Sequence, residues 1–242
     1  MKNRWVVARN LALLVVLGSG VFAAAPSRAI ASFTVDINAA GTPLSLTQAD
    51  FTCGQHGTVT SCGASGLSAG GLSFDLTFSV DTDPKLTATV AVLNNNAGTA
   101  QFTAIFTALG VGTGGFSTVT DGGVAGGPTD NSGDGSTIAA PNGSAFYTAL
   151  IDNATHQPLY PFPYSFNDPN GYESGNFPAL SFGPQAGPAI VSTAGLKLDF
   201  TITGQDSASM TGTFELKPVP EPGTALLLGV GLVLIARRER RQ

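Results

Sequence analysis

The chain has 242 residues, 11 basic against 16 acidic, and a formal net charge of −5. Between Ser32 and Lys217 only Lys85, Lys197 and Lys217 oppose 14 acidic residues, and no arginine lies between Arg28 and Arg237. Nucleic-acid binding requires clustered Lys and Arg that displace counterions from phosphate, so that class is excluded.

In chain order, the first element has the three parts of a secretory signal peptide. Lys2, Arg4 and Arg9 give a positive start, Leu11 to Leu17 a compact apolar segment, and Ala29-Ile30-Ala31 a small-residue cleavage site. Cleavage after Ala31 leaves Ser32 as the first mature residue. A cut after Ala25 would put Pro26 directly beyond the scissile bond, where proline is poorly accepted. The expected partners at this stage are signal peptidase and the general secretion machinery.

Cys53 and Cys62 bracket GQHGTVTS. In an exported chain two nearby cysteines form a disulfide across a short loop. A zinc site with His56 would need four ligands, and the only other histidine is His156.

Period-two alternation then predicts half-buried strands. Leu72, Phe74, Leu76, Phe78 and Val80 share one face; Val90 and Val92, then Phe102, Ala104 and Phe106, repeat the pattern. Leu196, Leu198, Phe200 and Ile202 form another stripe, followed by Met210, Phe214 and Leu216. Asn94–Gly98 and Gly204–Ala208 supply turn residues between strands. Two segments break the pattern: the Gly-rich 110–142 and the Pro- and aromatic-rich 152–188, which read as long loops. The expectation is an all-β protein, an antiparallel β-sandwich of jelly-roll-like form, spanning residues 32–217 as one extracytoplasmic domain.

The candidate chemistry is sparse. GLSAG at 66–70 matches the G-x-S-x-G elbow around Ser68, with Asp152 and His156 as nominal partners. That motif requires a strand before it and a helix after it, and here a strand follows. GVGTGG at 110–115 has neither the lysine nor the helix of a phosphate loop. No catalytic set and no obligatory cofactor are expected. DNSGDG at 130–135 offers Asp130, Ser132 and Asp134 as oxygens for a weak calcium site, although Pro141 stands where the calcium loop places its bidentate Glu. The segment 160–182 presents Tyr160, Tyr164 and Tyr172 among Asn, Asp and Glu, residues suited to stacking on sugar rings and bonding their hydroxyls.

The tail reads VPEPGTALLLGVGLVLIARRERR over 219–241. Its 14 uncharged residues, 223–236, make a helix of roughly 21 Å, short of the roughly 30 Å bilayer core. Such a transmembrane helix spans by thinning the bilayer, with Arg237, Arg238, Arg240 and Arg241 held in the cytoplasm. Pro220, Glu221 and Pro222 keep the preceding segment extended and accessible.

This order of motif, short apolar helix and arginine cluster over 218–242 resembles the PEP-CTERM sorting signal. The resemblance implies processing by an exosortase in a Gram-negative bacterium that makes exopolysaccharide. It further implies transient anchoring in the inner membrane, then display at the surface or release into the biofilm matrix. Extracellular polysaccharide is the partner expected there, with carbohydrate binding through 160–182 as the alternative role.

Overall fold

The computed structural model describes residues 32–81, 85–111, 117–169 and 172–219. The expected signal peptide and the tail from Pro220 onward, including the expected 223–236 helix, lie outside these residues. Among the described residues no helix is long and apolar enough to cross a membrane.

Among the described residues, fifteen strands and one short 3-10 turn (Gln48–Asp50) follow one another. They are β1 (Ser32–Ala39), β2 (Thr42–Thr47), β3 (Thr52–His56), β4 (Val59–Ala69), β5 (Leu72–Asp81) and β6 (Lys85–Asn94). Then come β7 (Ala100–Leu109), β8 (Thr118–Thr129), β9 (Ser136–Ala139), β10 (Ala145–Ile151) and β11 (Ala154–Pro161). The last four are β12 (Ser165–Asp168), β13 (Phe177–Gly187), β14 (Thr193–Ile202) and β15 (Ser207–Pro218).

The first sheet runs β11-β10-β14-β7-β1-β2, with β9 paired to β14 and β12 paired to β9; the second runs β13-β8-β15-β6-β5-β4-β3. Every paired neighbour is antiparallel. The expected all-β antiparallel sandwich is therefore the observed architecture.

Each expected apolar stripe faces the space between the sheets. Phe74 and Phe78 of β5 meet Phe102 and Phe106 of β7 with ring centroids 5.1 and 5.4 Å apart. Phe33 of β1 packs on Phe78 at 5.2 Å, and Phe200 of β14 on Phe102 at 5.7 Å. All six rings are buried, at spacings where aromatic pairs add about 0.5–1.5 kcal/mol each beyond burial.

Both segments expected as loops contain strands. Residues 110–142 hold β8 and β9, and β8 lies inside the second sheet between β13 and β15. Its apolar stripe is missing because β15 and β13 press against its backbone. A Cβ at Gly122 would lie 2.5 Å from the Thr213 carbonyl and 2.9 Å from the Phe182 ring. Glycine is the residue that fits such close approach, and it removes the hydrophobic period. Residues 152–188 hold β11, β12 and β13. β11 and β13 are edge strands, where proline's missing N–H is tolerated. The register of β13 shifts between Phe177 and Leu180 and between Phe182 and Gln185, at Pro178 and Pro184.

Candidate functional site

The cysteines stand directly opposite each other on β3 and β4 and form the expected disulfide, with Cα atoms 4.1 Å apart. It closes the hairpin at the free edge of the second sheet.

Ser68 lies in β4, paired with Ser73 of β5 beyond a bulge between Ala64 and Leu67. A strand with a bulge replaces the strand-turn-helix of a nucleophile elbow. Asp152 and His156 sit at the other flank of the sandwich, on the β10–β11 turn and on β11. Asp152 accepts the backbone N–H groups of Val191, Ser192 and Thr193 at 2.8–2.9 Å. Partial burial pushes its carboxyl up, but these amides outweigh that and hold it below the usual range. His156 Nε2 lies 2.9 Å from Thr120 Oγ1, and burial lowers its pKa. These three residues form no triad.

The 130–135 turn is compact. Asp130 is 1% exposed, and its Oδ1 accepts from Ser132 N at 3.1 Å and Gly133 N at 2.6 Å. Its Oδ2 accepts from Gly135 N at 2.9 Å and Tyr172 N at 3.2 Å. Burial raises the carboxyl's pKa, and the Gly133, Gly135 and Tyr172 amides with the Ser132 hydroxyl lower it further than burial raises it. Ser132 Oγ also lies within hydrogen-bond reach of Asp134 and, at 3.2 Å, of Asp206, so its one proton is shared among three carboxylates.

Asp206, missed in the sequence, arrives from the β14–β15 connection and is fully buried. Carboxylate oxygens of Asp130, Asp134 and Asp206 lie within 4.8 Å of one another. Three hard oxygen donors at this spacing, with the Ser132 hydroxyl among them, are chemically suited to calcium. A separation of over 70 residues hid the third carboxylate.

The three tyrosines do not form one platform. Tyr160 and Tyr164 lie in tilted contact with centroids 4.2 Å apart and pack on Phe146, which is fully buried. Tyr160 also meets Phe177 edge-on at 5.4 Å, and its hydroxyl donates to the Pro178 carbonyl. Burial beside Tyr160 raises the Tyr164 pKa above the ordinary tyrosine value. Tyr172 is 75% exposed and covers Gly133 instead.

A polar constellation that the sequence reading missed sits on the outer face of the first sheet. Asp199, 4% exposed, accepts Gln101 Nε2 at 2.9 Å and Thr103 Oγ1 at 3.0 Å on one oxygen. Its other oxygen takes Ser144 Oγ at 2.6 Å and Lys197 Nζ at 3.1 Å, and Lys197 also donates to Ser144 Oγ at 2.7 Å. The only early signal was Lys197 itself, one of three cations in the region.

The sorting residues Pro220, Glu221 and Pro222 and the four tail arginines lie outside the described residues. β15 runs to Pro218, and Val219 N donates to Ser117 O at 2.9 Å, so the described fold reaches the foot of the motif. Residues 218–241 match the family profile of the PEP-CTERM protein-sorting motif. The chain carries that motif, which implies an exported, exosortase-sorted protein with exosortase as its processing partner.

No curated protein matches the chain. Among solved structures, the Slr1438 protein of Synechocystis sp. PCC 6803 aligns at 11% identity and TM-score 0.26, over 70% of this chain and 66% of that one, just under two thirds of its length. A putative aldose 1-epimerase of Escherichia coli K12 aligns at 14% identity and TM-score 0.25, over 70% and 69%. Likenesses at these TM-scores carry no argument about function.

Proposed function

We propose that this is a non-catalytic protein of the cell surface or extracellular matrix, released from a short membrane anchor by exosortase and associated with exopolysaccharide. The observation that carries this reading is the sorting-motif match at 218–241. The distribution of charge supports it, since cations are concentrated at the two ends and the intervening domain is acidic. Its non-catalytic character is supported by Ser68 lying in a bulged strand and by Asp130 and Asp152 being engaged in binding backbone amides. Carbohydrate binding through 160–182 is the narrower alternative, and the packing of Tyr160 and Tyr164 leaves Tyr172 as the most exposed of its three rings. Weak calcium binding at Asp130, Asp134 and Asp206 is a structural accessory to the same reading.

The test is intact mass and fractionation of the native protein, with and without Pro220-Glu221-Pro222. A form beginning at Ser32, ending near Pro222 and lying outside the inner membrane supports the proposal. A form retaining Arg241 in the inner membrane overturns it.

A further inference from the structure

A groove of about 450 Å³ opens on the outer face of the first sheet, within the roughly 300–1,000 Å³ typical of small-molecule sites. It runs over neighbouring positions of β14, β10 and β11, where Lys197 stands opposite Thr148 and Thr148 opposite Pro158. Asn142, Ser144, Thr155 and Phe162 complete the part of its lining that matters here.

We propose that this groove binds a neutral hexopyranose unit of a polysaccharide. Three observations converge on that ligand class. Phe162 is 50% exposed at the groove, a large apolar ring held at the surface of an acidic protein. Such a ring suits the C–H face of a pyranose. Thr148 is 5% exposed, yet its hydroxyl makes no hydrogen bond among the described residues, although it lines the groove. That hydroxyl is not sealed from solvent, so a ligand hydroxyl entering the groove can bond to it in place of water. Lys197 spends two N–H bonds on Ser144 and Asp199, leaving its third uncommitted among the described residues.

The charge of the site selects a neutral ligand. Asp199 lies 3.1 Å from Lys197 and balances it, so the groove offers hydrogen-bond donors without net positive charge. The surrounding domain, with 14 acidic residues against three basic, repels an anionic polymer. The four donors on Asp199 fix Ser144 and Lys197 before any ligand arrives, which lowers the ordering cost of binding. This site is distinct from a platform of Tyr160, Tyr164 and Tyr172, and it rests on the matrix reading above.

Affinity electrophoresis of the mature protein through gels containing dextran, hydroxyethyl cellulose, yeast mannan or alginate tests it. The wild type is expected to be retarded by at least one of the three neutral polymers and not by alginate. Phe162→Ala weakens the retardation about 2- to 12-fold, as expected for loss of an aromatic stacking partner. Thr148→Val weakens it about 3- to 10-fold, the value of one hydrogen bond, while the melting temperature stays equal. That combination separates a ligand-facing hydroxyl from a structural one. Tyr172→Ala leaves retardation unchanged. The inference is overturned by retardation only in alginate, by none in any gel, or by equal retardation of the wild type, Phe162→Ala and Thr148→Val. Any of these in a protein recovered from the matrix removes the groove and leaves the matrix reading standing; recovery only from the inner membrane or cytoplasm removes that reading whatever the gels show.

Discussion

The backbone N–H of Asn94 donates to the carbonyl oxygen of Asp206 at 2.8 Å, and both residues are fully buried. This contact joins two of the arches by which the chain changes sheets, β6 to β7 and β14 to β15. The Asn94 side chain extends the joint, donating to Gly98 O at 2.9 Å, Ile202 O at 3.1 Å and Thr203 O at 3.0 Å. Gln205 N returns a bond to Asn96 O at 3.1 Å, and Gly204 lies too close to Ala97 for any side chain, its Cβ position being 2.4 Å from that carbonyl. Asn94 therefore fastens these two of the crossovers at once.

Asn94→Ala strips the carbonyls of Gly98, Ile202 and Thr203 of a shared donor in a buried joint. Leaving buried acceptors unpaired costs about 1–3 kcal/mol per group, and the expected total loss is about 2–4 kcal/mol. Urea denaturation at pH 7 measures it. A loss below about 0.5 kcal/mol, the usual range for surface substitutions, would show the arches to be independent of this residue.

Acidification should weaken the fold in two stages. Burial lowers the His156 pKa, so the folded state disfavours its charged form. The unfolded chain then binds the proton more readily, and stability is lost as pH falls below about 6.5 toward the folded value. Asp130 and Asp152 are also lowered, burial working against and backbone amides for the charged form. Their contribution is present above the ordinary carboxyl value of 3.8 and disappears as pH falls through their folded values. Urea midpoints followed from pH 8 to pH 3 should show both declines, and His156→Gln should remove the first alone. A midpoint flat down to pH 4.5 in the wild type contradicts the assignment for His156.

Millimolar calcium should raise the melting temperature of the wild type, since Asp130, Asp134 and Asp206 bring three carboxylates together and a divalent ion relieves their repulsion. Asp134 is exposed, so Asp134→Asn tests the site without breaking the hydrogen bonds that Asp130 makes to the turn. The variant should lose the calcium response and keep its melting temperature in chelator. An unchanged wild-type melting curve at about 5 mM calcium, several-fold above the roughly 1 mM upper end of extracellular dissociation constants, removes the site.

How much of this was legible in the sequence follows from the physical size of each signal. Leu72 to Val80 announced β5 because five inward positions carry large apolar groups, and Leu196 to Ile202 announced β14 for the same reason. The Cys53–Cys62 bond followed from proximity and export. Asp130, Ser132 and Asp134 were visible as a local turn, but Asp206 was not, because its partner is set by an arch and not by spacing. The Asp199–Lys197–Ser144 group was hidden likewise: Ser144 precedes β10, and only the pairing of β10 with β14 lets the Lys197 side chain reach its hydroxyl at 2.7 Å. Tyr160 and Tyr164 look the same in sequence whether they face solvent or fill the space around Phe146.

The hardest element to read was β8, and its glycines make the last prediction. Gly122→Ala places a methyl carbon 2.5 Å from the Thr213 carbonyl and 2.9 Å from the Phe182 ring, closer than real Cβ contacts come. Because Thr213 belongs to the neighbouring strand β15, relief requires β8 and β15 to separate across their ladder. Overpacking of this kind costs typically about 1–3 kcal/mol. Gly54→Ala is the matched control: it also lies in a strand, but nothing stands within 4 Å of its Cβ position and its φ is not left-handed. Glycine also weakens a strand interior by its entropy, so this control should be neutral or stabilising by a few tenths of a kcal/mol. Equal melting temperatures for the two variants would mean that β8 does not need glycine for close approach, and the reason given for its missing apolar stripe would fall with it.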